Sequence, residues 1–222
     1  ADGLIKTAAI NAPRFDHDPV SLACKGLLIE ESRTNLLIRS SELNDVSWLK
    51  INASINQNSV SSPEGTISAD KLIENAAAGV QHFVYFPRSG SNETLTFSVF
   101  AKAAERTKIV LQFSNFLSHA IGAIFDLSSG TVISSSGSNA DYSAAVATIR
   151  PAGGGFYRCS ITASKNSVNS TNNAAIILVN GGGLVSYDGD GSSGVYLWGA
   201  QLEAGSFPTS YIPTTTAAVT RA

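Results

Sequence analysis

The sequence has no methionine, two cysteines and three histidines, and only 14 % of its residues are charged. Cys24 and Cys159 are too few for a disulfide framework, and their spacing carries no metal or redox pattern. Both are expected to be buried free thiols, in effect small apolar side chains. His17, His82 and His119 are too far apart in sequence for one segment to hold a metal with them. No apolar run approaches the roughly 18 residues that a membrane helix needs. The longest, Ala174 to Val179, has the length of a strand. With a net charge of -2 and scattered Lys and Arg, the chain lacks the basic patch that displaces counterions from nucleic acid. Neither nucleic-acid binding nor membrane insertion is therefore expected. There is no G-x-S-x-G elbow, no H-E-x-x-H pair and no P-loop. The missing methionine, the lack of a signal peptide and the Ala-Asp-Gly opening, a turn signal, lead us to expect a C-terminal fragment of a longer protein.

What is present is alternation. Apolar residues make up 43 % of the chain, enough for a packed core. Leu95, Phe97, Val99 and Ala101 alternate with Thr96, Ser98, Phe100 and Lys102, the pattern of a half-buried strand. Ile109, Leu111 and Phe113 make a second such row. Leu-Ser-Ser-Gly at 127–130 and Pro-Ala-Gly-Gly-Gly at 151–155 have the composition of hairpin loops. Ala174 to Asn180 is apolar on both faces and suits the middle of a sandwich. In the closing strand, Val195 to Glu203, alternation sets Tyr196, Trp198, Ala200 and Leu202 on the core face and turns Gln201 and Glu203 away. The best helical prospect is one short turn within Ser41 to Lys50, where Trp48 is expected to plug the sandwich edge. The predicted fold is an all-β sandwich over 43–222, with an extended tail after the breaks at Gly205 and Pro208. An extended arm precedes it over 1–42, with one short strand at Leu27 to Ile29. Such arms are stable only against a domain or a neighbouring subunit, so a homo-oligomer is expected. Candidate interface residues are Arg14, Phe15, Glu30, Glu31 and Arg33 on the arm and Tyr211 on the tail.

Few residues look chemical. His17 between Asp16 and Asp18 is a possible metal set, but the Asp-His-Asp-Pro run fits an Asx turn better. Glu30 and Glu31 are adjacent, so on an extended chain they point to opposite sides and cannot flank one glycosidic bond. Salt bridges to Arg33 or to another subunit are the expected use. Asp188 and Asp190 lie in Y-D-G-D-G-S-S-G, part of the pattern of a calcium loop without its distal Glu. Sugar binding asks less: an aromatic face with polar neighbours. Tyr187 beside Asp188 and Asp190 in an exposed loop is one candidate. Phe100 is another, with a subunit interface as its alternative use. Phe156 and Arg158 form a possible outward aromatic-basic pair.

Several motifs resemble one family in order along the chain. They are P-R-F-D (13–16), G-L-L-I-E-E-S-R-T-N-L (26–36), F-D-L-S-S-G-T-V (125–132), F-Y-R-C-S-I-T (156–162) and the closing run from Tyr196, which includes W-G-A-Q-L-E-A-G-S-F-P-T-S-Y-I-P-T-T-T-A-A-V-T-R-A (198–222). Together they resemble the C-terminal modules of tailed-bacteriophage tail fibres and tailspikes, and L-T-F-S-V-F-A-K-A (95–103) is similar to a strand of galactose-binding-like carbohydrate-binding modules. Ser32, where relatives often carry Gln, and His17, where many carry Tyr, depart from the pattern. The resemblance implies a jelly-roll sandwich, a homotrimer on the virion assembled in the host cytoplasm, and contact with other tail proteins. It implies a receptor-binding role towards bacterial surface polysaccharide. A purely structural trimerising or capping module and a polysaccharide depolymerase are the alternatives, the second against our expectation of no enzyme. The likeness to galactose-binding-like modules, which often place a structural calcium near this strand, also implies a possible calcium site at Glu203.

Overall fold

The computed structural model describes residues 3–8, 12–90, 92–115, 119–166 and 171–221. Ala1 and Asp2 of the expected opening turn lie outside them. Sixteen strands and no helix occur among the described residues. They are β1 (Phe15–His17), β2 (Cys24–Leu27), β3 (Arg33–Asn35), β4 (Leu49–Ile51), β5 (Ala53–Ser61), β6 (Ile67–Glu74), β7 (Phe83–Phe86) and β8 (Thr94–Ala103). The remainder are β9 (Lys108–Ser114), β10 (Ala120–Asp126), β11 (Thr131–Ser135), β12 (Val146–Pro151), β13 (Tyr157–Ser164), β14 (Asn173–Val179), β15 (Gly194–Ala204) and β16 (Val219–Arg221).

Two six-stranded sheets form a β-sandwich. One runs β12-β13-β8-β15-β6-β5 and the other β11-β10-β9-β14-β7-β4, with every neighbouring pair antiparallel. We call the first the tail-side sheet and the second the far sheet. The core between them is built from the alternating rows: Leu95, Phe97, Val99 and Ala101 of β8 face Ile109, Leu111 and Phe113 of β9, with Ile176 and Leu178 of β14. Each fully buried Leu, Ile or Phe contributes about 1.5–3 kcal/mol by leaving water. Both expected hairpins form, β10–β11 and β12–β13. Trp48 is buried and packs edge-on against Phe86 at 5.4 Å.

Four local readings are corrected. Of the Ser41–Lys50 segment, residues 41–48 make turns and bends without a helix, and Leu49 and Lys50 begin β4. The Lys50 ammonium donates to the carbonyls of Asn44, Asp45 and Trp48 at 2.7–2.8 Å and so holds the chain folded around it. Cys159 is buried, whereas Cys24 is exposed on the β1–β2 hairpin. The strand expected at Leu27 to Ile29 lies earlier, as β2, and Ile29 is 84 % exposed. The fourth concerns β15. Its ladder to β8 skips between Trp198 and Gln201, with Gly199 at φ +62°. A bulge adds a residue and reverses which side chains face in. Val195, Leu197, Ala200 and Leu202 therefore fill the core, while Trp198 stands on the outer face with Gln201 and Glu203.

The extended arm divides at Arg33. From β3 onward it belongs to the sandwich: β3 pairs with β16, and Leu37 is a core residue with Leu36 packed against the same core. The Asn35 side chain ties the two termini together, donating to the carbonyls of Ala200 and Ile212 and accepting from the amides of Leu37 and Leu202. Before Arg33, β1 and β2 form a separate two-stranded hairpin. Asp18 makes the Asx turn at its tip, accepting from the amides of Val20 and Ser21. Those amides hold its carboxyl at about 2.

Candidate functional site

The sugar candidates separate into two places, and neither is an exposed platform. Tyr187 is buried, not exposed in a loop. Its hydroxyl donates to Glu74 Oε2 at 2.7 Å, and its ring lies between His82, 4.8 Å away, and the Arg106 guanidinium, 5.2 Å away. Glu74 is the centre of this cluster. Its fully buried carboxylate takes two hydrogen bonds from Arg106, through Nε at 2.8 Å and through Nη2, and one from the Asp190 amide at 2.9 Å. Burial pushes the Glu74 carboxyl up, but Arg106, the Asp190 amide and Tyr187 outweigh it and hold it below its ordinary value. The cluster latches the 187–194 loop to β6. It is a structural lock at one end of the sandwich.

The acids of that loop are engaged by the chain's own donors. The Asp190 carboxylate is consumed within its own turn by Ser192 and Ser193, whose side-chain and backbone donors hold it well below the usual carboxylate range. Asp188 accepts from the Gly79 amide at 2.7 Å. On β15, Glu203 takes the Thr209 amide, the Thr209 hydroxyl and the Gln201 amide group at 2.7–2.8 Å. Among the described residues no three His, Cys, Asp or Glu side chains gather into a metal set. The calcium expected near Asp188, Asp190 or Glu203 gains no support from these contacts.

Phe100 and Arg158 meet on the outer face of the tail-side sheet, beneath the C-terminal tail. Phe100 is buried against Trp198 (5.3 Å) and Tyr211 (6.1 Å), and Arg158 lies 5.2 Å from its ring. Arg158 also donates to the Thr209 carbonyl at 2.6 Å and to Ser98 Oγ at 3.0 Å. Phe156 is buried there too, so the expected outward pair faces the tail. Tyr211 donates to or accepts from Ser40 Oγ at 2.6 Å, and Ile212 N donates to Gln201 Oε1 at 2.7 Å. Several expected interface residues likewise act inside the chain. Arg14 pairs with Glu30 at 2.9 Å, and Arg33 pairs with Glu31 and covers the Phe207 ring. Phe15, in contrast, stays 55 % exposed. Alanine at Tyr187 or Phe100 would report on packing, not on ligand contact.

The far sheet presents a different surface. Ladder registers place Ile51, Phe83, Ile177, Val110, Ile124 and Ser134 on one rung across all six strands. The next rung carries Leu49, Tyr85, Ala175, Gln112 and Gly122. A groove of about 200 Å³ opens over β9, β10 and β11, floored by Val110, Gly122 and Ile124 and edged by Gln112, Ser134 and Ser136. Gly122 is required here, since a Cβ would come within 2.4 Å of the Leu111 carbonyl oxygen.

No protein-family model and no curated protein matches this chain. The groove and the Glu74 lock thus stand on their geometry alone. Sequence reading missed both. Glu74 was detectable, because Asp70, Leu72 and Glu74 share one row of β6 and a carboxylate on a core-facing row demands partners. Gln112 and Ser134 gave no local signal, since β9 and β11 meet only through β10.

Proposed function

We propose that this chain is a glycan-recognition module of a phage tail fibre, a jelly-roll sandwich that assembles as a trimer and holds bacterial surface polysaccharide. The observation that carries the reading is the far-sheet groove, where amide and hydroxyl groups edge an apolar floor. Saccharides are bound by that combination, with apolar contact to the ring face and polar contact to hydroxyls. The opposite outer face is occupied by the chain's own tail, which leaves the far sheet as the broad face for a ligand. Each site alone would bind weakly, and three copies on one fibre would supply avidity. The test is binding of the fragment to host cells and to purified polysaccharide, with Gln112→Ala combined with Ser134→Ala. A loss of about tenfold, the equivalent of ~1.4 kcal/mol, is expected with the thermal midpoint unchanged. Full binding by this variant would move the ligand elsewhere. Release of reducing ends from the polysaccharide would replace binding by cleavage as the activity.

A second reading, a trimerising or capping module, is favoured by the β1–β2 hairpin. A two-stranded hairpin is marginal in water by itself. This one leaves Phe15, Val20, Leu27 and Ile29 between 55 % and 84 % exposed. Phe15→Asp with Ile29→Asp is expected to shift the chain from oligomer to monomer in sedimentation, with the unfolding midpoint of the sandwich retained. Trimers that persist in this variant would assign assembly to another surface.

A further inference from the structure

The β3–β16 ladder sets Arg33 directly opposite Arg221. Like charges on one cross-strand rung ordinarily destabilise a ladder. Two more arginines lie close by: Arg221 feels the charges of Arg14 and Arg33, and Arg158 feels that of Arg221. Three carboxylates answer the four guanidiniums, and all are already engaged. Glu30 accepts from Arg14 at 2.9 Å and from the Ser210 amide at 2.7 Å, and forms an ion pair at 3.2 Å with Arg221, whose Nη1 donates to the Ser210 carbonyl. Glu31 pairs with Arg33, and Glu203 is filled by Thr209 and Gln201. The acceptors run out. Nε of Arg33, Nε of Arg158, and Nε and Nη2 of Arg221 are shut from water without a hydrogen-bond partner. Leaving buried donors of charged groups unpaired is costly, and a guanidinium fork matches a carboxylate, sulfate or phosphate in shape. Burial pulls Arg158 down to about 10 and also lowers Arg221, outweighing the opposing pull of Glu203 and Glu30.

We propose that the Arg33–Arg221 rung is an oxyanion-binding site, taking a carboxylate or an equivalent oxyanion between the two guanidiniums. The site lies on the termini, away from the far-sheet groove, and does not depend on it. The same chemistry is offered by a free small anion and by the acid group of a charged saccharide.

The experiment follows the arginine Nε–H resonances of the ¹⁵N-labelled chain during titration with acetate, glucuronate or glucose at constant ionic strength. Saturable shifts of Arg33 and Arg221 with acetate and glucuronate, and none with glucose, are expected. Tighter binding of glucuronate than of acetate would mark a saccharide ligand, and equal binding a free anion. Both outcomes keep the site. Arg221→Gln is expected to weaken acetate binding about tenfold. Should that variant not fold, Arg33→Lys keeps the charge but loses the fork, and a comparable weakening is expected. Shifts that fail to saturate, or that survive in Arg33→Lys unchanged, would overturn the proposal. Loss of polysaccharide binding in the groove variant with intact acetate shifts would separate the two sites.

Discussion

Trp198→Ala is expected to lower the unfolding free energy by about 3–5 kcal/mol, the usual cost of emptying a buried tryptophan site. Trp198 is 2 % exposed and touches Phe100 and Tyr211, so its loss opens the seam between β15 and the tail. The damage should be local as well as global. Segment 205–221 should become cleavable by a dilute protease before the sandwich unfolds, because its hydrogen bonds to Gln201 and Glu203 need the seam closed. Trp198→Phe should cost less than a volume argument suggests, since the buried indole N–H has no acceptor and the substitution removes it. Urea denaturation with an unchanged slope, run beside timed proteolysis, checks both points. A cost under about 1 kcal/mol would show that the tail is held elsewhere.

The second large effect is at Glu74. Removing Arg106 strands a carboxylate whose side chain has no exposure, and breaking such a pair costs about 3–5 kcal/mol near neutral pH. The pH dependence separates this from simple loss of packing. In the wild type the folded Glu74 carboxyl lies below its ordinary 4.5, so its stabilisation is present above that value and is lost as pH falls through the folded one. In Arg106→Ala burial, the largest influence on this group, acts with its strongest opponent removed, so the folded carboxyl should sit higher than in the wild type. The folded variant then takes up a proton at a higher pH than the folded wild type, and the cost of the substitution shrinks as pH falls. The gap between the two proteins should be widest at pH 7 and narrow towards pH 4.5. A gap that stays constant with pH would mean that Glu74 is not the stranded charge.

How much of this was legible follows from where the information sits. The β8 and β9 rows were readable because each side chain's fate depends on two-residue alternation alone. Trp198 was misplaced for the same reason: one bulge at Gly199 breaks the count, and everything before it changes side relative to everything after it. A glycine inside a strand pattern is the available warning. Tyr187 sits in a run rich in Gly, Asp and Ser, which locally resembles an exposed turn. Its burial depends on Glu74, more than a hundred residues earlier, and on Arg106. The arginine rung was equally hidden, since Arg33 and Arg221 meet only when both termini have folded.

The clasp between β3 and β16 also has a mechanical meaning. Its strands run antiparallel, and Arg33, where the chain enters, lies across from Arg221, where it leaves. A pull exerted through the chain on both sides would therefore load one rung at a time, Arg33–Arg221, then Thr34–Thr220, then Asn35–Val219. Peeling of this kind needs far less force than shearing all rungs together. The load would next reach Asn35, whose four hydrogen bonds bridge β15, the Leu37 amide and the tail. The clasp would yield first under tension and re-form when the tension drops, sparing the sandwich behind it.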